Sequence, residues 1–139
     1  MSEKDTILAL LITAKTIAVV GLSDNPARSS YSVALYLLRA GYKIIPVNPH
    51  IKQVHGVHSV SSLKEITEPV DIVNIFRRSE LVLPVVEDAI QICAKGIWMQ
   101  EGVSNIAAAE KAMNAGIPVI MDNCIAVAHR LLKFQLHHQ

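Results

Sequence analysis

The chain has 139 residues, 51% of them hydrophobic, a net charge of +1 and a mean hydropathy of +0.35. That length fits one domain with one ordinary core. The balanced charge excludes nucleic acid or an anionic membrane as a bulk partner, so any anion site must be local.

In chain order, Asp5 is placed to cap a first helix whose Ile7, Leu8, Leu11 and Ile12 share one face. The apolar run 7–14 falls short of the roughly 20 residues of a membrane span, and no small-residue cleavage site follows it. Short Val/Ile-rich runs then predict five strands, at 16–20, 43–47, 71–76, 96–99 and 118–121. Helical periodicity fills the gaps. Residues 30–40 carry Val33, Ala34, Leu37 and Leu38 on one face and stop at Gly41. Residues 79–94 carry Leu83, Val86, Ala89, Ile90 and Cys93. Residues 104–115 carry Ile106, Ala109, Ala112 and Met113 and stop at Gly116. Residues 124–136 close the chain, and a shorter helical piece is expected at 60–66. With aromatic residues at 4%, the expected core is aliphatic.

Strands alternating with helices predict an α/β, Rossmann-type three-layer domain around a five-stranded parallel sheet, with the order 3-2-1-4-5. Ligands in such sheets sit at the carboxyl ends of the strands, where the strand order reverses. That places a site over 21–23, 47–49, 76–78 and 99–102.

The segment Thr16-Ile-Ala-Val-Val-Gly-Leu-Ser-Asp-Asn-Pro-Ala-Arg-Ser-Ser30 runs from a strand through a turn at Gly21 into a helix, a layout that presents backbone N–H groups to a phosphate. The dinucleotide fingerprint G-x-G-x-x-G would need glycine at 21, 23 and 26. Here those residues are Gly21, Ser23 and Pro26. Ser29 and Ser30 are credible N-caps, and Arg28 lies beside the helix start, in reach of a bidentate phosphate contact. The bland alternative is a tight turn with a solvated arginine.

NAD sites usually place a carboxylate at the end of the second strand. This chain has Pro46-Val-Asn-Pro-His50 there, with Lys52 close behind. That suits a phosphorylated ribose, as in NADP or coenzyme A. Arg28, Lys52, Arg77 and Arg78 are the candidate phosphate partners. Asn48-Pro49 also reads as a simple turn ending a strand.

Four segments now match one pattern: Ala18 to Arg28, Gly41 to Pro49, Val70 to Phe76, and Ile97 to Gly102. Together they resemble the stand-alone CoA-binding proteins, related to the CoA-binding domain of succinyl-CoA synthetase α subunits and ADP-forming acyl-CoA synthetases. The resemblance implies a single domain over 1–139, with its core at about 15–130. It implies non-covalent binding of CoA or an acyl-CoA through the 3′-phospho-ADP part. Gly21, Leu22, Ser23 and Arg28, with Ser29 and Ser30, would then line the diphosphate. Val47, Asn48 and Pro49 would flank the adenosine, with Phe76 and Arg77 at the adenine or its ribose and Lys52 near the ribose phosphate. Trp98 and Gln100 would stand near the pantetheine exit. The ligases' phosphotransfer domain has no counterpart, so the resemblance implies a binding module without catalysis of its own.

Asp122-Asn-Cys-Ile125 resembles the Asn-Cys segment of those ligases. A thiol at a helix start can be activated, which would place Cys124 opposite the CoA thiol; equally, Cys124 is a small residue beginning a helix. A CoA-dependent enzyme using Cys124 and an NADP-dependent oxidoreductase are therefore the alternatives. Cys93 reads as core. His50, His55 and His58 read as solvated loop residues rather than a metal set, and His137 and His138 as tail. Two cysteines without a CxxC motif fit a reducing cytoplasm. The outer faces of the last two helices could support a homodimer or a protein partner.

Overall fold

The computed structural model describes residues 2–137, with the backbone alone for 135–137; the tail reading of His137 and His138 lies outside the described residues and side chains. Helix α1 (Glu3–Thr13) is capped by Ser2, not Asp5. The Ser2 hydroxyl accepts from Asp5 N at 3.1 Å while the Asp5 carboxylate accepts from Ser2 N at 3.2 Å, a reciprocal capping box that places Asp5 inside the first turn. Its buried residues are Leu10 and Leu11, and Ile12 points to solvent.

The remaining elements follow as β1 (Thr16–Val20), α2 (Ser29–Arg39), β2 (Lys43–Val47), a hairpin of β3 (Gln53–Val54) and β4 (Val57–His58), and β5 (Ile72–Ile75). After these come α3 (Val82–Gln91), β6 (Gly96–Met99), α4 (Ile106–Asn114), β7 (Val119–Ile120) and α5 (Ile125–His137). Short 3-10 turns occupy Leu63–Glu65, within the expected helical piece at 60–66, and Ser79–Leu81, where a longer helix is expected. The hairpin replaces an expected loop. His55 and Gly56 both take positive φ, as a two-residue mirror-image turn requires.

The five-stranded sheet is parallel, as expected, but its order is β2-β1-β5-β6-β7. Counted along the five strands this is 2-1-3-4-5 rather than 3-2-1-4-5. Pro46 supplies the physical reason. The backbone groups of Lys43 and Val47 face β1, through Lys43 N to Lys15 O and Gly21 N to Val47 O, so those of Pro46 face the outer edge. A proline has no N–H to give a further strand, which makes β2 an edge. Val60 bridges that edge, donating to Pro46 O at 3.0 Å and accepting from Asn48 N at 2.9 Å, and the Ser59 hydroxyl beside it donates to Asn48 O at 3.0 Å. A right-handed crossover from β2 must then return over β1 on the face opposite α2. In this order β5 is the neighbour of β1, with Phe76 beside Gly21.

Side-chain alternation builds two cores. Ile17 and Val19, with Ile44, Ile72, Trp98 and Ile120, face α1, α2 and α5. Ala18 and Val20, with Ile45, Val73, Ile75, Ile97 and Met99, face α3 and α4. At Gly96 a Cβ would come within 2.6 Å of the Leu10 side chain, so its absence lets α1 lie close against β6. Two helix faces differ from expectation. On α4 the contacts are made by Ala108, Ala109 and Ala112, whereas Ile106 is 68% exposed and Met113 also points outward. Cys93 falls beyond the end of α3 in a left-handed turn and is exposed rather than core.

Candidate functional site

The strand order reverses between β1, which leads away to β2, and β5, which leads away to β6. The crevice at their carboxyl ends is where this class of sheet holds ligands. Gly21 leaves β1 with φ +83°, and a Cβ there would overlap the Phe76 carbonyl oxygen, so only glycine fits. Its N–H donates to Val47 O at 2.9 Å, and Phe76 N donates to Val20 O at 2.9 Å, which ties the ends of β2, β1 and β5 together.

The loop after Gly21 is held by its own short polar side chains. Ser23 N donates to the Ser30 hydroxyl at 3.0 Å, Asn25 N to the Ser23 hydroxyl at 3.0 Å, and Ala27 N to Asn25 Oδ1 at 2.9 Å. These local turns shape the loop from residue 23 to 27, while Leu22 anchors its start in the core. The cap position of α2 is Arg28 rather than Ser29 or Ser30, and no side chain caps the helix. The two serines lie in the first turn. With Gly21, Ser23, Arg28 and Phe76 they line a cleft of about 320 Å³. First-turn N–H groups, an arginine and hydroxyls facing one space are the chemistry of an anion site.

A second cleft of about 320 Å³ adjoins the first and shares Gly21 and Phe76 with it. Val47, Asn48 and Pro49 form one wall and Arg77 part of the other. Asn48 joins its walls: its Nδ2 donates to Leu22 O at 3.0 Å, and its Oδ1 accepts from His50 N at 2.9 Å. Asn48 is thus both a turn former and a clamp on the Gly21 loop. Sequence reasoning missed His50, Ser61, Ser62 and Asp88, which also line this cleft. The serines arrive through the Val60 bridge to β2, a pairing with no local sequence signal. Asp88 is held by Lys64 at 3.5 Å.

The remaining expected site residues lie outside both clefts. The Leu22 side chain is fully buried, leaving its backbone to face the loop. Lys52 is exposed between β2 and β3. Trp98 lies within β6, away from the expected pantetheine exit, 0% exposed, with Nε1 donating to Asn123 O at 2.8 Å; no ring face is left for a ligand. Gln100 is buried, and its Oε1 accepts from Asn74 Nδ2 at 3.2 Å and from Ile125 N at 3.3 Å. Cys124 is half-buried just before α5, where its carbonyl accepts from Ala128 N at 3.0 Å.

His55 is engaged away from its neighbours: its Nε2–H donates to Tyr31 O at 2.9 Å and its ring lies 4.3 Å from that of Tyr31. Among the described residues no three His, Cys, Asp or Glu side chains converge as a metal site, and no helix is long and apolar enough to cross a membrane.

The groups whose titration the fold shifts lie away from the clefts. Burial alone would raise the Asp71 carboxyl, but the N–H groups of Thr16 and Lys15 and the Lys95 ammonium outweigh it and hold it below the usual carboxylate range. Burial, aided by the Lys133 charge, lowers His129, which shares a 2.8 Å hydrogen bond with the Tyr36 hydroxyl between α5 and α2.

A family model described as a CoA binding domain matches residues 15–130. The uncharacterized protein YneT of Bacillus subtilis (strain 168) is 49% identical over 131 residues, covering 94% of this chain and 97% of YneT. A solved structure of a hypothetical protein from Pyrococcus horikoshii OT3 superposes with a TM-score of 0.90 at 34% identity, covering 94% of this chain and 92% of that one. The ADP-forming acetate–CoA ligase of Methanocaldococcus jannaschii is 23% identical over 135 residues; the match spans 91% of this chain but 19% of the ligase.

Proposed function

Because the chain belongs to the CoA binding domain family, we propose that it binds coenzyme A non-covalently through the 3′-phospho-ADP moiety, as a binding module rather than a catalyst. The observation that carries this reading is the pair of adjoining clefts that meet at Gly21 and Phe76. One cleft ends on the uncapped first turn of α2 and Arg28, which suits a diphosphate. The other is walled by Val47, Asn48 and Pro49, which suits an adenosine, with Arg77 and His50 at its edge for the ribose phosphate. The missing Cβ at Gly21 lets the Phe76 backbone carbonyl lie close where strands β1 and β5 meet, which holds the two clefts side by side.

The coenzyme supplies a thiol at the end of its arm. This chain's part is to hold the charged end: N–H groups and Arg28 for the diphosphate, and Asn48 to keep the Gly21 loop against β2. Beneath the surface, the buried Gln100–Ile125 hydrogen bond ties the end of β6 to the start of α5, next to Cys124.

Thermal unfolding tests the reading. Ligand that binds the native state raises the melting temperature by mass action. Saturating CoA should raise it clearly, and dephospho-CoA should raise it less because the ribose phosphate is gone. Equal shifts from both would remove the role given to the basic edge. A larger shift from NADP than from CoA would overturn the coenzyme assignment.

A further inference from the structure

Three kinds of group line the cleft beside β2. His50 and Arg77 are basic. Val47 and Leu63, from β2 and the turn after the Val60 bridge, and Pro84 and Val85, from α3, are apolar. Val47, Leu63 and Val85 belong to one packed cluster, so the core fixes these walls. The third kind is a polar set of Asp88, Ser61 and Ser62. Helix α3 leaves the carboxyl end of β5 and runs back along the sheet. Asp88 therefore lies one turn, about 6 Å, farther from the strand tips than Pro84.

This polar set keeps hydrogen-bonding capacity in hand. Asp88 Oδ1 meets Lys64 Nζ at 3.5 Å, and among the described residues no group donates to Asp88 Oδ2. Ser61 N donates to the Glu65 carboxylate at 3.0 Å and Glu65 N to Ser62 O at 3.2 Å. The turn is thus fixed through its backbone, and neither hydroxyl has a protein partner among the described residues. A carboxylate at this end repels a phosphate. It accepts from an amino group, and the hydroxyls beside it donate to a neighbouring acceptor. Adenine offers that pair on one edge, the N6 amino group and ring N1, together with two apolar faces for the aliphatic walls.

We propose that Asp88 reads the adenine base of the bound nucleotide: its open oxygen accepts from the N6 amino group, and Ser61 or Ser62 donates to N1. The inference rests on the coenzyme A reading above. The parts of the ligand then follow the order of the surfaces. The diphosphate lies at the first turn of α2, the ribose crosses at Gly21 and Phe76 where the clefts meet, and the base enters between Leu63 and Val85. Lys64 holds the carboxylate in place.

Calorimetric titration of the full chain with CoA and with 1,N6-etheno-CoA tests this, because the etheno bridge removes the N6 donor and blocks N1. CoA should bind at least tenfold tighter than the etheno analogue. Asp88 is partly exposed on a helix, so Asp88→Ala should fold normally. It should weaken CoA about tenfold, leave etheno-CoA within twofold and so shrink the preference to less than threefold. Lys64→Ala removes the ion pair but keeps the carboxylate, and should retain a preference of at least fivefold. Equal binding of CoA and etheno-CoA by the parent chain would overturn the proposal. So would a preference that survives Asp88→Ala, or one lost as fully in Lys64→Ala. Failure of CoA itself to bind would overturn the nucleotide reading, and this inference with it.

Discussion

The two ends of the sheet handle the same kind of backbone group in opposite ways. At the amino end, the Asp71 carboxylate accepts from Lys15 N at 2.8 Å and Thr16 N at 2.9 Å and meets the Lys95 ammonium at 3.4 Å. That end is closed by the protein's own charge. At the carboxyl end the first turn of α2 has no side-chain cap, and Gly21 turns the chain away from β1 beside the Phe76 carbonyl, where the two clefts open. One end completes the fold. The other leaves helix donors without a side-chain cap, where the proposed ligand would bind, and a substitution should therefore affect stability or binding according to which end it strikes.

Gly21→Val should break this separation and have the largest effect. Positive φ strain and overlap with the Phe76 carbonyl strike stability and ligand together, with a cost of about 4 kcal/mol. Urea unfolding should show the loss, and the CoA-induced rise in melting temperature should vanish.

Asp71→Ala should sharpen the comparison from the closed end. Losing two charge-assisted backbone bonds should cost about 1.5 kcal/mol, allowing for partial exposure, with the dissociation constant for CoA unchanged. The native pKa lies below the unfolded one, so this stabilisation is present above the unfolded value of about 3.9 and is lost as pH falls through the lower native value. Acid unfolding curves of the variant should be flatter in that window.

Arg28→Ala should give the converse result at the open end. Affinity for CoA should fall about tenfold, equivalent to about 1.4 kcal/mol, while urea unfolding without ligand stays within about 0.5 kcal/mol of the parent.

The smallest effect is expected at His129, between the ends. Its native pKa is lowered, chiefly by burial, so its contribution is present above the unfolded value of about 6.5 and fades as pH drops toward the native one. A shallow loss of stability below neutral pH should be measurable by denaturant titration and absent in His129→Phe.

Much of the fold was legible because it is written locally. Strands at 16–20, 43–47 and 96–99 occur with the expected limits, each an aliphatic run ended by turn residues. The strand order depends on what lies beyond β2, and its one local sign was Pro46, a residue suited to an edge. The Gly21–Ser30 loop was legible for the same reason as the strands: its turns are closed by Ser23, Asn25 and Ser30 within the segment. Ser61, Ser62 and Asp88 were not, because a bridge to Val60 and the packing of α3 bring them to the cleft from far along the chain. Trp98 shows the opposite error. Position near the strand ends pointed to a ligand, but alternation along β6 turns the indole into the core beside Ile72 and Ile120.

Amide chemical-shift mapping of the isotope-labelled chain during titration with CoA tests the central claim most directly. The account predicts saturable shifts concentrated at Gly21, Ser23, Ser29, Ser30 and Phe76, with Lys15, Thr16 and Asp71 at the closed end unmoved. Binding that leaves the Gly21 loop and the first turn of α2 unshifted while moving residues elsewhere would contradict it.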